Sequence, residues 1–455
     1  MFATNRLAPT PGTRPARSRI AAAGIAALTA LTLTACAGGS TTGGDNAGTQ
    51  GNAGGGAAGG DENTIVFWSN HPGSSRDVEL ELIAAFEEEN PELSVELVDG
   101  GASYEELAQK FNAALAGADL PDVIVASDVT WFNFALNDAT TPLDDLWEQE
   151  GIDPDSYVDT LREDYEYNGK HYGVPYSRST NLMYWNTDDL AAAGLPTDRG
   201  PETWEEFDEW ASKLTEQTGN PALVIPDGST YLDWYFQGMV WAFGGSYSNK
   251  WEPTFLDPKT VEAGKFLQDQ VKKGHIEIGT DPTVTFGAGN ASALLESTGS
   301  LSGLTESATV PFITTFLPGP GPSAATGGAG LAIPNGISDA RKANAVKFID
   351  FITNTENTIT FTQKTGYMPV RKDALDQPEE RAFLDDNPNA ETAIKQLTEN
   401  TKPQDYARVF VPGGGKRVGG ALDKITVGGQ DVEKVFAELD DETQGVVERD
   451  IEPKL

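Results

Sequence analysis

NTIVFWSNHPGSSRDVELELIAAFEEENPELSVELVDGGASYEELAQKFNAALAGADLPDVIVAS, residues 63–127, is the stretch that decides the fold. NTIVFWSN (63–70) reads as a buried first strand. Ser75 then starts a helix with Val78, Leu82, Ile83 and Phe86 on one side, and EEEN followed by Pro91 ends it. LSVELVD (93–99) is the second strand. Ser103-Tyr-Glu-Glu106 fits a capping box, with Ser103 as N-cap and Glu106 returning to the Ser103 N–H. The helix it opens carries Leu107, Phe111, Ala114 and Leu115 and breaks at Gly117. LPDVIVAS (120–127) is a short continuous apolar run, the pattern of a parallel strand covered on both faces. Three β–α steps in succession predict a doubly wound α/β lobe.

Downstream, GKHYGVPYSRSTNLMYWNTDDLAAAGLP (169–196) is a turn leading into an extended segment, then a helix stopping at Gly194. Thr203-Trp-Glu-Glu206 is another capping box, opening a helix through Phe207, Trp210 and Leu214. Aromatics are dense from 223 to 251, where Tyr231, Trp234, Tyr235, Phe236 and Trp241 fall; most belong in a core, with two or three left to face a ligand. ASALLESTGSLSGL (291–304) sets Ser297, Thr298 and Ser300 around Gly299, and PSAATGGAGLAIP (322–334) is a Gly-rich entry to a strand. In KANAVKFIDFITNTENTITF the residues Val346, Ile349, Phe351 and Ile352 follow helical spacing, and QKTGYMPV (363–370) ends that segment. Gly366 there supplies a turn that tolerates positive φ, Tyr367 follows it, and Pro369 blocks further helix.

The N-terminal end has a different logic. Arg6, Arg14, Arg17 and Arg19 form a basic region without acidic residues, followed by an apolar run at 20–33 too short to span a bilayer comfortably. Leu33-Thr34-Ala35-Cys36 resembles a bacterial lipobox, which makes 1–35 a lipoprotein signal peptide and Cys36 the lipidated residue. The Gly-rich residues up to 61 read as a flexible tether. Cys36 is the only cysteine, which rules out an intrachain disulfide framework and, with three histidines, leaves little for a Cys/His metal site. Removing the four signal arginines takes the net charge from −37 to −41. A surface this acidic repels nucleic acid and anionic lipid and leaves an anionic ligand dependent on local donors.

The sequence carries no complete catalytic signature. GGGKR at 413–417 is not a phosphate loop, because Phe410 and Arg417 stand where Gly and Ser/Thr are required. Neither a G-x-S-x-G elbow nor H-E-x-x-H occurs. The acidic pairs Asp144-Asp145 and Asp188-Asp189 sit at helix starts, where they complement the dipole. His71 stands alone at the C-terminal end of the first strand. The expectation is a protein without catalytic residues, metal or cofactor.

Five blocks, the opening strand–helix, 103–128, 169–196, 297–331 and 348–370, together resemble the extracellular solute-binding proteins of ABC importers. A fainter match lies at 408–417. STGSLSGL, TGGAGLAI and QKTGYMPV resemble in particular the branch that binds glycerol 3-phosphate and glycerophosphodiesters. The resemblance implies a two-lobed, type II periplasmic-binding-protein-like α/β fold, each lobe a sheet flanked by helices, with the ligand in the cleft between lobes. It divides the chain into lobe 1, 62–175 with 301–352, and lobe 2, 176–300 with 353–455. Carried over by position, it implies Tyr104 and Asp128 as contacts from the first lobe, Ser179 from the crossing segment, and Ser297 and Gly328 from two small-residue turns. Tyr367 and Arg417 complete the set, Arg417 as the guanidinium for a phosphate. Two positions depart from the family pattern: Asp128 replaces a glutamate, and Tyr231 with Trp234 replaces a tryptophan pair. The implied protein is a monomer outside the cytoplasm, anchored to the cell membrane through Cys36, whose partners are a small ligand and the permease subunits. A neutral di- or oligosaccharide is the alternative ligand, and a surface hydrolase is the alternative from another class.

Overall fold

The computed structural model describes residues 62–117 and 119–455, so the lipobox, Cys36 and the tether lie outside the described residues. The opening stretch folds as a parallel β–α succession. β1 (Thr64–Ser69), β2 (Ser94–Asp99) and β3 (Val123–Ser127) pair in parallel in the order β3-β1-β2. The helices Arg76–Glu89 and Tyr104–Ala114 connect them, and Val78, Leu82, Ile83 and Phe86 are all buried. Every residue of β3 is buried, as a strand covered on both faces requires. Ser103 caps the second helix, its Oγ accepting from the Glu106 N–H at 3.2 Å. Glu106 returns to the Ala102 N–H at 2.8 Å rather than to that of Ser103, so the box closes one residue earlier than the sequence predicts.

Seven further strands complete a ten-stranded path: β4 (Val174–Asn186), β5 (Leu223–Pro226), β6 (Ile276–Gly279), β7 (Ala293–Ser297), β8 (Phe312–Thr315), β9 (Ala324–Ala332) and β10 (Thr401–Lys402). The order is β6-β5-β7-β4-β9-β3-β1-β2, with β8 on β4 and β10 on β9. Hydrogen bonding is continuous along this path, but the hydrophobic cores are separate. One cluster gathers Ile65, Phe67, Phe86, Phe111, Val174, Leu331 and Phe348. The other side of the molecule packs around Trp185, Trp204, Phe207, Trp210, Phe236, Leu422 and Phe436, with Leu182, Tyr184, Val224 and Leu294 beside it. Each such aromatic contributes roughly 2–3 kcal/mol through burial, enough to give both lobes their own core.

β4 and β9 belong to both lobes. All thirteen residues of β4 are buried; Val174 and Tyr176 sit in the first core and Met183 and Trp185 in the second. The two strands run antiparallel with Gly327 opposite Ser179 and Gly328 opposite Arg178, and the register shifts between Gly328 and Gly330. Gly328 has φ +94°, and a Cβ there would lie 1.9 Å from the Ser177 carbonyl oxygen. Only glycine permits this close crossing.

The packing departs from the expected division of the chain in three places. Leu301, Leu304, Leu317 and Ala325 pack with the second lobe, although 301–352 was assigned to the first. Phe361, Tyr367 and Val370 pack in the first core, although 353–455 was assigned to the second, and so does Ile451. Tyr176 also stays in the first core. The chain changes lobe where β4 and β9 cross, near Ser179 and Gly327, at the polar run SRSTN (177–181) of β4 and the paired glycines of β9. The apolar run expected as one helix is two, Asp339–Ile352 and Thr355–Thr365, because Asn354 caps the second by accepting from the Asn357 N–H at 2.9 Å. Gly366 ends it at φ +85°, as its sequence predicts. Among the described residues no helix is long and apolar enough to cross a membrane.

Candidate functional site

At the crossing of β4 and β9 lies a cavity of about 150 Å³ walled by both lobes. Eight of the nine residues singled out as ligand contacts line it: Tyr104, Asp128, Ser179, Tyr231, Trp234, Ser297, Gly328 and Tyr367. Each is delivered by a different local device. Tyr104 is the first helical residue after the Ser103 cap, and Asp128 is the residue after β3, its N–H bonded to the Gly328 carbonyl at 3.0 Å. Tyr231 has φ +74° just before the helix Leu232–Phe243, and its hydroxyl donates to Glu105 of the first lobe at 3.4 Å. The Trp234 indole N–H donates to the Thr326 carbonyl at 3.1 Å. A Cβ on Gly327 would lie 2.6 Å from that ring, so glycine lets the indole lie directly on β9. Ser297 caps a 3-10 turn, accepting from the Gly299 N–H at 3.1 Å. The Tyr367 ring is held between Gly73 and Gly299 and stacks on Phe361 at 5.8 Å between centroids.

The ninth residue, Arg417, is elsewhere. It sits in the first turn of the helix Gly414–Thr426, and its Nη2 donates to the Pro412 carbonyl at 2.8 Å. Burial lowers its pKa, with Glu442 opposing. The Gly413–Gly414 turn directs this side chain back along its own loop, away from the cavity. The guanidinium that lines the cavity is that of Arg408, in the short helix Tyr406–Val409 and 3% exposed. Its Nε donates to Asp233 at 2.6 Å, and Nη1 donates to Asp128 at 3.2 Å and to the Gln404 side-chain oxygen. Nη2 has no hydrogen-bond partner among the described residues. Burial opposes its charge, and the carboxylates of Asp233 and Asp128 outweigh that and raise its pKa. Gln404 also donates from Nε2 to Asp128 and, at 2.6 Å, to the Thr326 carbonyl, so one amide ties the two charged groups together. The sequence did hold a signal for Arg408: an arginine inside the apolar run ARVFVP, four residues after Gln404, requires a buried partner.

Two further lining residues, Tyr235 and Glu296, were not singled out as contacts. Tyr235 donates to Glu296 Oε1, which also accepts from the Ser297 N–H at 2.7 Å. Burial raises the carboxyl of Glu296, and burial pushes the Tyr104 hydroxyl up to about 12. Tyr367 rises well above the ordinary phenol value for the same reason. Neutral hydroxyls therefore face a single guanidinium and the free edge of Asp128. Such a set, a forked cation with hydroxyl donors and a carboxylate acceptor, suits a polyhydroxylated anion. His71 does not line the cavity; its Nδ1 meets Glu79 at 2.5 Å, beside the turn whose Gly73 packs on Tyr367. Among the described residues no group of three or more His, Cys, Asp and Glu is arranged to hold a metal.

Two lobes joined by crossing strands, with a polar cavity at the crossing, define a solute-binding protein. The sequence profile of the bacterial extracellular solute-binding proteins matches residues 81–392, and the chain belongs to that family. Over 73% of its length it is 27% identical to the sn-glycerol-3-phosphate-binding periplasmic protein UgpB of Escherichia coli K12, covering 80% of that protein. It is 48% identical to UgpB from Mycobacterium tuberculosis, whose crystal structure is a complex with glycerophosphocholine. The two superpose with a TM-score of 0.82 over 85% of this chain and 99% of that one. Maltose-bound MalE3 of Thermotoga maritima shares the fold at 20% identity and a TM-score of 0.74, over 84% and 99% of the two chains.

Proposed function

We infer that this protein is the solute-receiving component of an ABC importer and that it binds a glycerophosphodiester, or glycerol 3-phosphate, in the cavity between its lobes. The observation that carries this reading is Arg408, a buried guanidinium with one free terminal nitrogen that faces the cavity beside Asp128. A phosphate ester takes the forked cation and the hydroxyls of Tyr104, Ser179, Ser297 and Tyr367 as donors, and the glycerol hydroxyls take Asp128 as acceptor. Trp234 supplies a flat apolar wall for the carbon skeleton. The likeness to the glycerophosphocholine-bound relative, at 48% identity, supports the same ligand class. Cys36 is the lipid attachment that would hold the protein at the outer face of the membrane, where the monomer hands its solute to permease subunits.

Calorimetric titration with glycerophosphocholine, glycerol 3-phosphate and maltose tests the ligand. Binding of either phosphate ester with no heat from maltose is expected; binding of maltose alone would reverse the assignment. Attachment is tested separately. Cys36→Ala is expected to abolish partitioning into a detergent phase, and unchanged partitioning with the same lipid mass shift would reject it.

A further inference from the structure

The first lobe reaches Tyr367 through the turn 71–75, which is held in a strained shape. His71 and Ser74 have φ +53° and +62°, and Gly73 between them has φ +60°. Left-handed backbone at residues other than glycine persists only where the surroundings over-determine it. Here it brings about a close contact: a Cβ on Gly73 would lie 2.7 Å from the Tyr367 ring and 3.3 Å from the Gly299 carbonyl oxygen of the second lobe. Glu79, 2% exposed on the helix Arg76–Glu89, holds the turn from behind. Its Oε1 accepts from the Ser69 Oγ at 2.7 Å, the Ser75 Oγ at 3.2 Å and the Tyr176 hydroxyl at 3.4 Å. Its Oε2 meets His71 Nδ1 at 2.5 Å, and the Ser69 Oγ accepts in turn from the His71 N–H at 2.9 Å. His71 Nε2 is buried with no hydrogen-bond partner among the described residues, so Glu79 is the anchor of that ring. None of these five residues lines the ligand cavity.

We propose that Glu79 is a positioning residue for solute binding: through His71 it fixes the strained turn that seats the Tyr367 ring, and this ties solute affinity to the protonation of His71. The inference rests on the reading that a phosphodiester occupies the cavity against Tyr367. A charged His71 is held to Glu79 by an ion pair as well as a hydrogen bond, and a neutral one by the hydrogen bond alone. The charged groups facing His71 are Glu79 and Arg76 on the helix and Asp99 at the end of β2. The hydrogen bond to Glu79 raises the His71 pKa against the effect of burial; the charges of Glu79 and Asp99 raise it further, and Arg76 lowers it. Tyr176, on the Glu79 side, stays neutral, because burial holds its hydroxyl well above the ordinary phenol value. The proton therefore leaves His71 as pH rises through a raised value, and solute affinity falls with it. Linkage is reciprocal, so a solute that presses Tyr367 onto the turn draws a proton to His71 as it binds.

Glycerophosphocholine is the probe, because a phosphodiester keeps one charge across the range in which histidine titrates. Wild type, His71→Asn and Glu79→Gln are titrated by calorimetry at about pH 5.5, about pH 7 and about pH 8.5. Repeating each titration in two buffers of different ionisation enthalpy reads the protons taken up. Asparagine accepts positive φ, so His71→Asn removes the charge without straining the turn further. Wild type is expected to lose about fivefold in affinity from the lowest pH to the highest and to take up protons on binding near neutrality. His71→Asn is expected to show neither effect. Glu79→Gln is expected to lose the slope and to bind about tenfold more weakly at the lowest pH. Circular dichroism shows whether the variants are folded, and should Glu79→Gln fail to fold, His71→Asn decides alone. A slope that persists in His71→Asn would assign the titration to another group, such as Glu296 in the cavity wall, and overturn the proposal. A flat wild-type profile without proton uptake would overturn it as well, as would a folded Glu79→Gln that matches wild type at every pH. Wild-type protein that binds no glycerophosphocholine at any pH would instead remove the phosphodiester reading, and this inference with it.

Discussion

Replacing Arg408 by lysine perturbs two energies that the structure allows to be separated. The guanidinium is 3% exposed and serves three acceptors at once: Asp233, Asp128 and Gln404. Alanine would leave Asp233 buried without its cation, a loss of about 3–5 kcal/mol that endangers the fold itself. Lysine keeps the charge but offers a single nitrogen, which cannot reach Asp233 and Asp128 together and leave a donor for the ligand. The expected loss of affinity for a phosphate ester is about 2 kcal/mol or more, roughly 30-fold. Loss of one buried acceptor's partner should lower stability by about 1–3 kcal/mol, read from urea unfolding of the same preparation. Arg417→Ala is the control, expected to change affinity by less than about threefold because its side chain lies outside the cavity, with Nη2 on the Pro412 carbonyl. Calorimetric titration with glycerophosphocholine decides the matter. A folded Arg408→Lys protein that binds within about threefold of wild type would refute the assignment, and a 30-fold loss in Arg417→Ala would return the role to the residue the sequence suggested.

Gln404→Ala removes the amide that ties Asp128 of the first lobe to Arg408 of the second, and should open the ligand-free protein, seen as a larger radius of gyration in solution scattering; an unchanged radius would mean that Gln404 does not bridge the lobes. Gly328→Ala puts a Cβ within 1.9 Å of the Ser177 carbonyl at φ +94° and should cost about 3 kcal/mol or more in urea unfolding; a loss under about 1 kcal/mol would show that the strand crossing can relax. His71 has its pKa raised above the ordinary 6.5, chiefly by its hydrogen bond to Glu79. Its contribution to stability is therefore fully present below 6.5 and lost as pH rises through the raised folded-state value. The gap in unfolding midpoint between wild type and His71→Asn should be wider at about pH 5.5 than at about pH 8.5, and a gap that does not narrow would contradict the pairing.

Much of the first lobe was legible because its signals are local. A run such as Val123–Ser127 is buried on both faces, and the Ser103 and Thr203 caps declare their helices within four residues. The lobe boundaries were misplaced, because the polar run SRSTN of β4 and the glycines of β9 mark the crossing but do not say which core each later segment joins. The guanidinium was misplaced for a related reason. Arg417 stands in a glycine turn that resembles an anion site, but glycine there serves the helix start. Arg408 is announced only by its apolar neighbours and by partners 175 and 280 residues away, which no local pattern connects. Glu296 is similarly hidden. Its place in the cavity wall comes from Tyr235 and the Ser297 N–H, brought next to it by packing.

The acidity of the chain and an anionic ligand are reconciled by where the carboxylates stand. With a net charge of −37 the protein does not draw a phosphate from a distance, so recognition depends on contacts within the closed cleft. Those contacts are not an excess of positive charge. Arg408 carries one unit and is flanked by two carboxylates, so a ligand phosphate gains hydrogen bonds more than it gains neutralisation. Under these terms a monoanionic diester asks less of that one guanidinium than a dianionic monoester does. Asp128 is also shared between the lobes before any ligand arrives, through Gln404 and Arg408. Closure in the presence of ligand therefore depends on what the ligand adds beyond those protein–protein bonds, because a ligand shifts the lobe equilibrium only by its difference in affinity for the two forms. A phosphate that takes the free Nη2 of Arg408 while its glycerol hydroxyls take the free oxygen of Asp128 supplies that difference without breaking the existing bridge.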